Sequence, residues 1–140
     1  MGGPLHSFFF FVFRTKEAVL TFLTERLMQS GLMDAETARS VFEREAASPT
    51  ALGNLIAVPH PMENNTAISA IAVLVLERPI QWEEQQVQAI FLISIARAEF
   101  YLRELIFLKL FRHFVKENGI RELIARPDYD RFIYDFKQSF

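Results

Sequence analysis

Residues 68–76 read Ile-Ser-Ala-Ile-Ala-Val-Leu-Val-Leu, an almost unbroken apolar run. A strand with one face in water alternates apolar and polar side chains, whereas a strand buried on both faces need not. The run therefore belongs in the middle of a sheet covered on both sides. Residues 89–95 repeat the pattern with Ala-Ile-Phe-Leu-Ile-Ser-Ile. Residues 8–13, Phe-Phe-Phe-Phe-Val-Phe, form a third short aromatic run that reads as a buried strand. The chain holds 15 phenylalanines, which supply large buried areas for such an interior or for a partner surface.

Helical spacing fills the gaps. Thr15 is placed to cap a helix with Glu17 in its first turn; Val19, Phe22, Leu23 and Leu27 follow at helical intervals, and Gly31 stops it. Asp34 caps a second helix that ends at Ser48-Pro49. Residues 55–58 read as a short strand, and 77–88, polar and containing Pro79, as a connection. A helix is expected over 99–116, closed by Asn118-Gly119, then a short one over 120–125. Pro127 breaks it. Asp128 caps a last helix with Tyr129, Phe132, Ile133 and Phe136 on its buried stripe. Helices alternating irregularly with buried strands give an α/β or α+β class.

Length and charge bound the function. One domain is expected over the 140 residues, with 1–6 as a ragged start. Seventeen acidic against fifteen basic side chains leave a net charge of −2, without the basic field of a nucleic-acid-binding domain. No cysteine is present, which removes disulfides, thiolate nucleophiles and cysteine metal sites. With only three histidines besides, a zinc centre is a poor fit. No apolar run approaches the roughly 20 residues of a membrane span, so no membrane insertion is expected. The chain has no Gly-x-Ser-x-Gly elbow and no glycine-rich nucleotide loop. Neither metal nor cofactor is expected.

The chemistry concentrates at His60, which lies between Pro59 and Pro61 after a short strand. Pro59 has its own φ fixed, and Pro61 drives His60 toward extended geometry. The imidazole is thus presented from stiff, non-helical backbone at a strand's end. His6 lies near the chain start, and His113 falls on the polar face of a helix.

The residues Arg44-Glu45, Pro49-Thr50, Leu52-Gly53-Asn54 and Ile56-Ala57-Val58-Pro59-His60 together resemble the phosphorylation-site signature of the mannitol/fructose class of enzyme IIA domains. These belong to the bacterial phosphoenolpyruvate-dependent sugar phosphotransferase system. Arg78-Pro79-Ile80-Gln81-Trp82, the 87–95 block, and Leu102 with Leu105 extend the likeness across 8–140. The resemblance implies a mixed β-sheet covered by helices on both faces and a cytoplasmic location. It implies His60 as phosphoacceptor, with the phosphocarrier HPr or a related carrier as donor. Arg44 matches the family's phosphate-facing arginine, and Asn54 a polar position that can supply an amide hydrogen bond.

Two departures matter. Many transport-type members carry a second histidine where this chain has Tyr101, or Phe100 if the register slips by one; Tyr101 can donate a hydrogen bond but cannot act as a cation or proton shuttle near pH 7. Pro61 stands where transport members usually have glycine; His-Pro looks more like the IIA-like domains of transcriptional regulators and antiterminators that also carry PTS-regulation domains. The resemblance therefore implies a regulatory phosphoacceptor whose partners include other domains of a larger regulator. A stand-alone transport enzyme IIA passing phosphate to a IIB domain is the alternative, and a non-catalytic interaction module a further one. The phenylalanine content also allows a homodimer.

Overall fold

The computed structural model describes residues 5–63, 66–112 and 119–125. Strand β1 (Leu5–Phe11) is followed by helices α1 (Lys16–Gln29) and α2 (Ala35–Ala47). Two short strands, β2 (Ala51–Gly53) and β3 (Leu55–Ala57), lead to the long strands β4 (Ala70–Trp82) and β5 (Gln85–Ser94). A 3-10 segment, Arg97–Leu102, runs into α3 (Arg103–Leu110), and α4 spans Gly119–Ala125.

The strands form one five-stranded sheet in the order β1-β4-β5-β3-β2. It is mixed: β1 runs parallel to β4 and β3 parallel to β5, while β4–β5 and β2–β3 are antiparallel. Along β4, Ala70, Ala72, Leu74 and Leu76 pack with Val19, Leu20, Leu23, Leu27 and Val41 of α1 and α2. Ile71, Val73 and Val75 pack on the opposite side with Ile106, Leu110 and Leu123 of α3 and α4. The unbroken apolar run is thus the mark of a strand with helices on both faces, as expected.

Both helix caps form where the sequence places them. Thr15 Oγ1 accepts from the Ala18 amide at 3.1 Å, and Asp34 Oδ1 from the Thr37 amide at 2.7 Å. Gly31, with φ +73°, turns the chain out of α1 in a conformation that only glycine adopts freely.

Several boundaries differ from expectation. The first strand begins at Leu5 and ends at Phe11, so His6 lies inside it, paired with Ala72. Phe13 leaves the sheet and packs on Phe22 of α1, ring centroids 5.1 Å apart. Residues 77–88 are not a connection: β4 and β5 continue as a hairpin to Trp82↔Gln85. The pairing register jumps from Val75↔Ala89 to Ile80↔Val87, which leaves Leu76, Glu77, Arg78 and Pro79 bulged opposite Gln88. Proline is tolerated there because no ladder bond is asked of it. Gln88 Nε2 donates to the Leu76 carbonyl at 3.0 Å and so occupies the opening. The helix expected from 99 instead starts as a 3-10 turn at Arg97. His113, Asn118 and the expected last helix after Asp128 lie outside the described residues.

Candidate functional site

His60 follows β3 on the edge half of the sheet. Its backbone is held from several sides. The Val58 amide donates to the Thr50 carbonyl at 3.1 Å, and the Ile93 amide to the Pro59 carbonyl at 3.0 Å. Beyond the histidine, the Met62 amide donates to the Ser40 carbonyl of α2, and Ser40 Oγ donates to the Glu63 carbonyl. The two prolines are therefore the local part of a larger restraint.

The ring is oriented by its own backbone. His60 Nδ1 lies 2.9 Å from the Val58 carbonyl oxygen. A carbonyl only accepts, so Nδ1 carries the proton and the lone pair resides on Nε2. On the other side Phe107 of α3 meets the imidazole edge-on, with ring centroids 5.2 Å apart and planes at 80°. A small cleft of about 40 Å³ opens here, lined by His60, Met62, Ile93, Phe100, Arg103 and Phe107 among others. It does not enclose a sugar.

Burial in this apolar surround pushes the imidazole pKa below its ordinary 6.5, against the opposing hydrogen bond to Val58. The charges of Arg44 and Arg103 lower it further, and Glu45 opposes them. The His60 imidazole is thus neutral at pH 7.

Arg44 sits in the last turn of α2, where Nη1 donates to the Ser48 carbonyl at 2.7 Å. Its neighbour Glu45 is buried. Oε1 accepts from the Thr50 amide at 3.1 Å and from Trp82 Nε1 at 2.6 Å, and Oε2 from the Thr50 hydroxyl at 2.6 Å. This carboxylate ties the end of α2 to β2 and β4. Through the Thr50 carbonyl it also reaches the strand that delivers His60.

Arg44 acts on His60 electrostatically without lining the cleft, and the other two sequence-derived site residues are not brought to it either. Asn54 lies at the opposite end of β3 from His60, beside the Leu55↔Val87 pair, whereas Pro59 is bonded to Ile93. Six residues of strand correspond to about 20 Å. Its φ of +50° places Asn54 in the β2–β3 turn, a position that asparagine tolerates. Tyr101 is 79% exposed and does not line the cleft. The 3-10 geometry presents Phe100 and Arg103 there instead. Arg103 and Phe107 were not singled out as site residues in the sequence, and Phe100 entered only as the one-residue register alternative to Tyr101. The available signal was an arginine and aromatics at i, i+3 and i+7 in the segment after the last strand. Among the described residues no group of three or more His, Cys, Asp or Glu is arranged to hold a metal ion.

A family model described as phosphoenolpyruvate-dependent sugar phosphotransferase system, EIIA 2, matches residues 7–139. The chain belongs to this family. Among relatives of this EIIA 2 chain, the probable licABCH operon regulator of Bacillus subtilis is 43% identical over 84 residues, 60% of this chain and 13% of that protein. The mannitol-specific phosphotransferase enzyme IIA component of Halalkalibacterium halodurans is 31% identical over 80 residues, 55% of each. The EIIA 2 chain therefore corresponds to a small part of the regulator and about half of the mannitol component. Its fold matches, with a TM-score of 0.79 at 19% identity, the complex of enzyme IIA-mannitol and phosphorylated enzyme IIB-mannitol from Escherichia coli, covering 95% of this chain and 94% of that one. Among the described residues no helix of the EIIA 2 chain is long and apolar enough to cross a membrane.

Proposed function

We propose that this chain is a regulatory phosphoacceptor domain of the sugar phosphotransferase system, reversibly phosphorylated on His60 by HPr or a related carrier. One observation carries the reading: His60 is held neutral, with Nδ1–H on the Val58 carbonyl, which leaves Nε2 as the nucleophile in a cleft lined by Arg103 and within electrostatic reach of Arg44. In the transfer, the Nε2 lone pair forms a bond to phosphorus. The bond from phosphorus to the donor's imidazole breaks, and its electron pair returns to the donor ring. The positive charge gained by His60 is shared with the Nδ1 proton, which the Val58 carbonyl already accepts. Such transfers ask the protein mainly for alignment and charge stabilisation.

The regulatory branch is supported by the 43% identity to an operon regulator and by the His60-Pro61 pair. In this reading the phosphoryl group is a signal read by other domains of a transcriptional regulator or antiterminator. The second reading, a transport IIA that hands the group to a IIB domain, is favoured by the likeness to the mannitol component. It is also favoured by the shared fold with a IIA solved together with phosphorylated IIB.

The test is incubation with phosphoenolpyruvate, enzyme I and HPr, followed by intact mass measurement of the parent, His60→Ala and Arg44→Ala. One acid-labile phosphoryl group on the parent, absent from His60→Ala and acquired more slowly by Arg44→Ala, is the expected result. No uptake by the parent with active donors would overturn phosphoacceptance and leave a binding module. Rapid onward transfer to an added IIB domain would replace the regulatory reading with the transport one.

A further inference from the structure

We infer that Arg103 is a phosphoryl-binding residue of the His60 site and takes the part that the sequence assigned to Tyr101. The inference rests on the proposed phosphorylation of His60 and adds a residue to it.

Arg103 is the first residue of α3 and lines the same cleft as His60. Its guanidinium carbon lies 5.3 Å from the centroid of the Phe100 ring and 5.7 Å from that of Phe107. Phe107 is the ring that meets the imidazole edge-on. One aromatic side chain therefore positions both the nucleophile and the cation. Stacking engages the flat faces of a guanidinium and leaves its N–H edge for a ligand. Among the described residues Arg103 has no carboxylate within ion-pair distance; the ion pair found there joins Lys16 and Glu83, far along the chain. Glu45, the acid that His60 senses, is committed to Thr50 and Trp82.

The cleft thus holds a neutral imidazole beside Arg103, with Arg44 near enough to act on its charge and Glu45 opposing both. A phosphoryl group on Nε2 brings about −1.5 to −2 charges and three acceptor oxygens, which complement this arrangement. Tyr101, 79% exposed and outside the cleft, has no comparable placement.

The segment that carries Arg103 is itself anchored. Ser69 Oγ donates to Glu99 Oε1 at 2.8 Å and accepts from the Ala96 amide at 2.7 Å, which pins the 3-10 turn to the start of β4.

The experiment compares the parent, Arg103→Lys, Arg103→Gln, Tyr101→Phe and His60→Ala. Initial uptake from HPr is followed by intact mass. After removal of the donors, the lifetime of the phosphohistidine and the pH titration of its 31P resonance are measured. Arg103→Gln is expected to slow uptake at least about tenfold and to shorten the phosphohistidine lifetime, because one preorganised cation is lost. Its phosphoryl group should protonate at higher pH than in the parent. Arg103→Lys should recover part of each effect, and Tyr101→Phe should match the parent.

A merely structural role for Arg103 would leave the phosphoryl titration where it is. Should Arg103→Gln lose the folded spectrum, Arg103→Lys decides, since it keeps the charge and loses the fork. Parent-like rates, lifetimes and titrations in the Arg103 variants, with uptake still abolished in His60→Ala, would overturn this inference alone. Absence of uptake by the parent would overturn the phosphoacceptor reading and this inference with it.

Discussion

At the scale of single residues, one hydrogen bond decides which ring nitrogen of His60 holds the lone pair. Because the Val58 carbonyl fixes the proton on Nδ1, the lone pair lies on Nε2, and in the proposed transfer the ring does not have to turn before it reacts. The depressed pKa has a sign that can be checked. Between its folded value and the ordinary 6.5, the unfolded chain binds a proton at this site that the folded chain does not. This histidine therefore contributes nothing to pH dependence above about 6.5 and lowers stability as pH falls through that window. Nuclear magnetic resonance titration of the parent should place the His60 midpoint below 6.5. In urea unfolding, the stability difference between the parent and His60→Gln should shift against the parent as pH drops from 7 toward that midpoint. A midpoint at or above 6.5 would show that the burial and the flanking cations do not act as described.

At the scale of elements, what could be read from the sequence was what is determined locally. Thr15 and Asp34 bond to amides three residues away, and Gly31 supplies its own left-handed turn, so both helices could be placed without tertiary knowledge. His60 was legible for the same reason, since its flanking prolines act on adjacent backbone. The β4–β5 hairpin was not, because its bulge is closed by Gln88 reaching across to Leu76. Arg103 escaped notice because its relation to His60 depends on how α3 crosses the sheet. Strand β2 was missed for a different reason. Gly53, Asn54 and Leu55 have φ values of +96°, +50° and +68°, and a bulky leucine is the last residue that propensity would put in such a turn. That misfit gives a prediction. Leu55→Ala and Leu55→Gly both remove the half-buried side chain, but only glycine also relieves the left-handed backbone. Leu55→Gly should therefore be more stable than Leu55→Ala by about 1 kcal/mol in urea unfolding. Equal stabilities would mean that the turn relaxes without cost.

At the scale of the whole molecule, the sheet separates two interiors, and the His60 cleft is built on one of them. The α1–α2 side holds Leu23 among fully buried neighbours and lines no part of the cleft. The α3–α4 side contains Ile93 and Ile95, which line it, and Ile106, which seats the helix that presents Arg103 and Phe107. Removing buried aliphatic volume from either side should cost about 2–5 kcal/mol, because each site is close-packed and collapses only in part. The functional consequences should differ. Leu23→Ala should lower the urea midpoint while phosphate uptake per folded molecule stays at the parent rate. Ile106→Ala should lower the midpoint by a comparable amount and also slow uptake several-fold, since a tilt of α3 moves the guanidinium and the aromatic ring that meets His60 together. Rates are compared at a temperature where both variants are fully folded, so that lost stability does not appear as lost activity. If both variants kept the parent rate, α3 would be a cover for the sheet and the site would be complete in the β3 segment and the end of α2. If both lost it equally, the two interiors would be mechanically coupled through the sheet, and the separation drawn from their packing would be wrong.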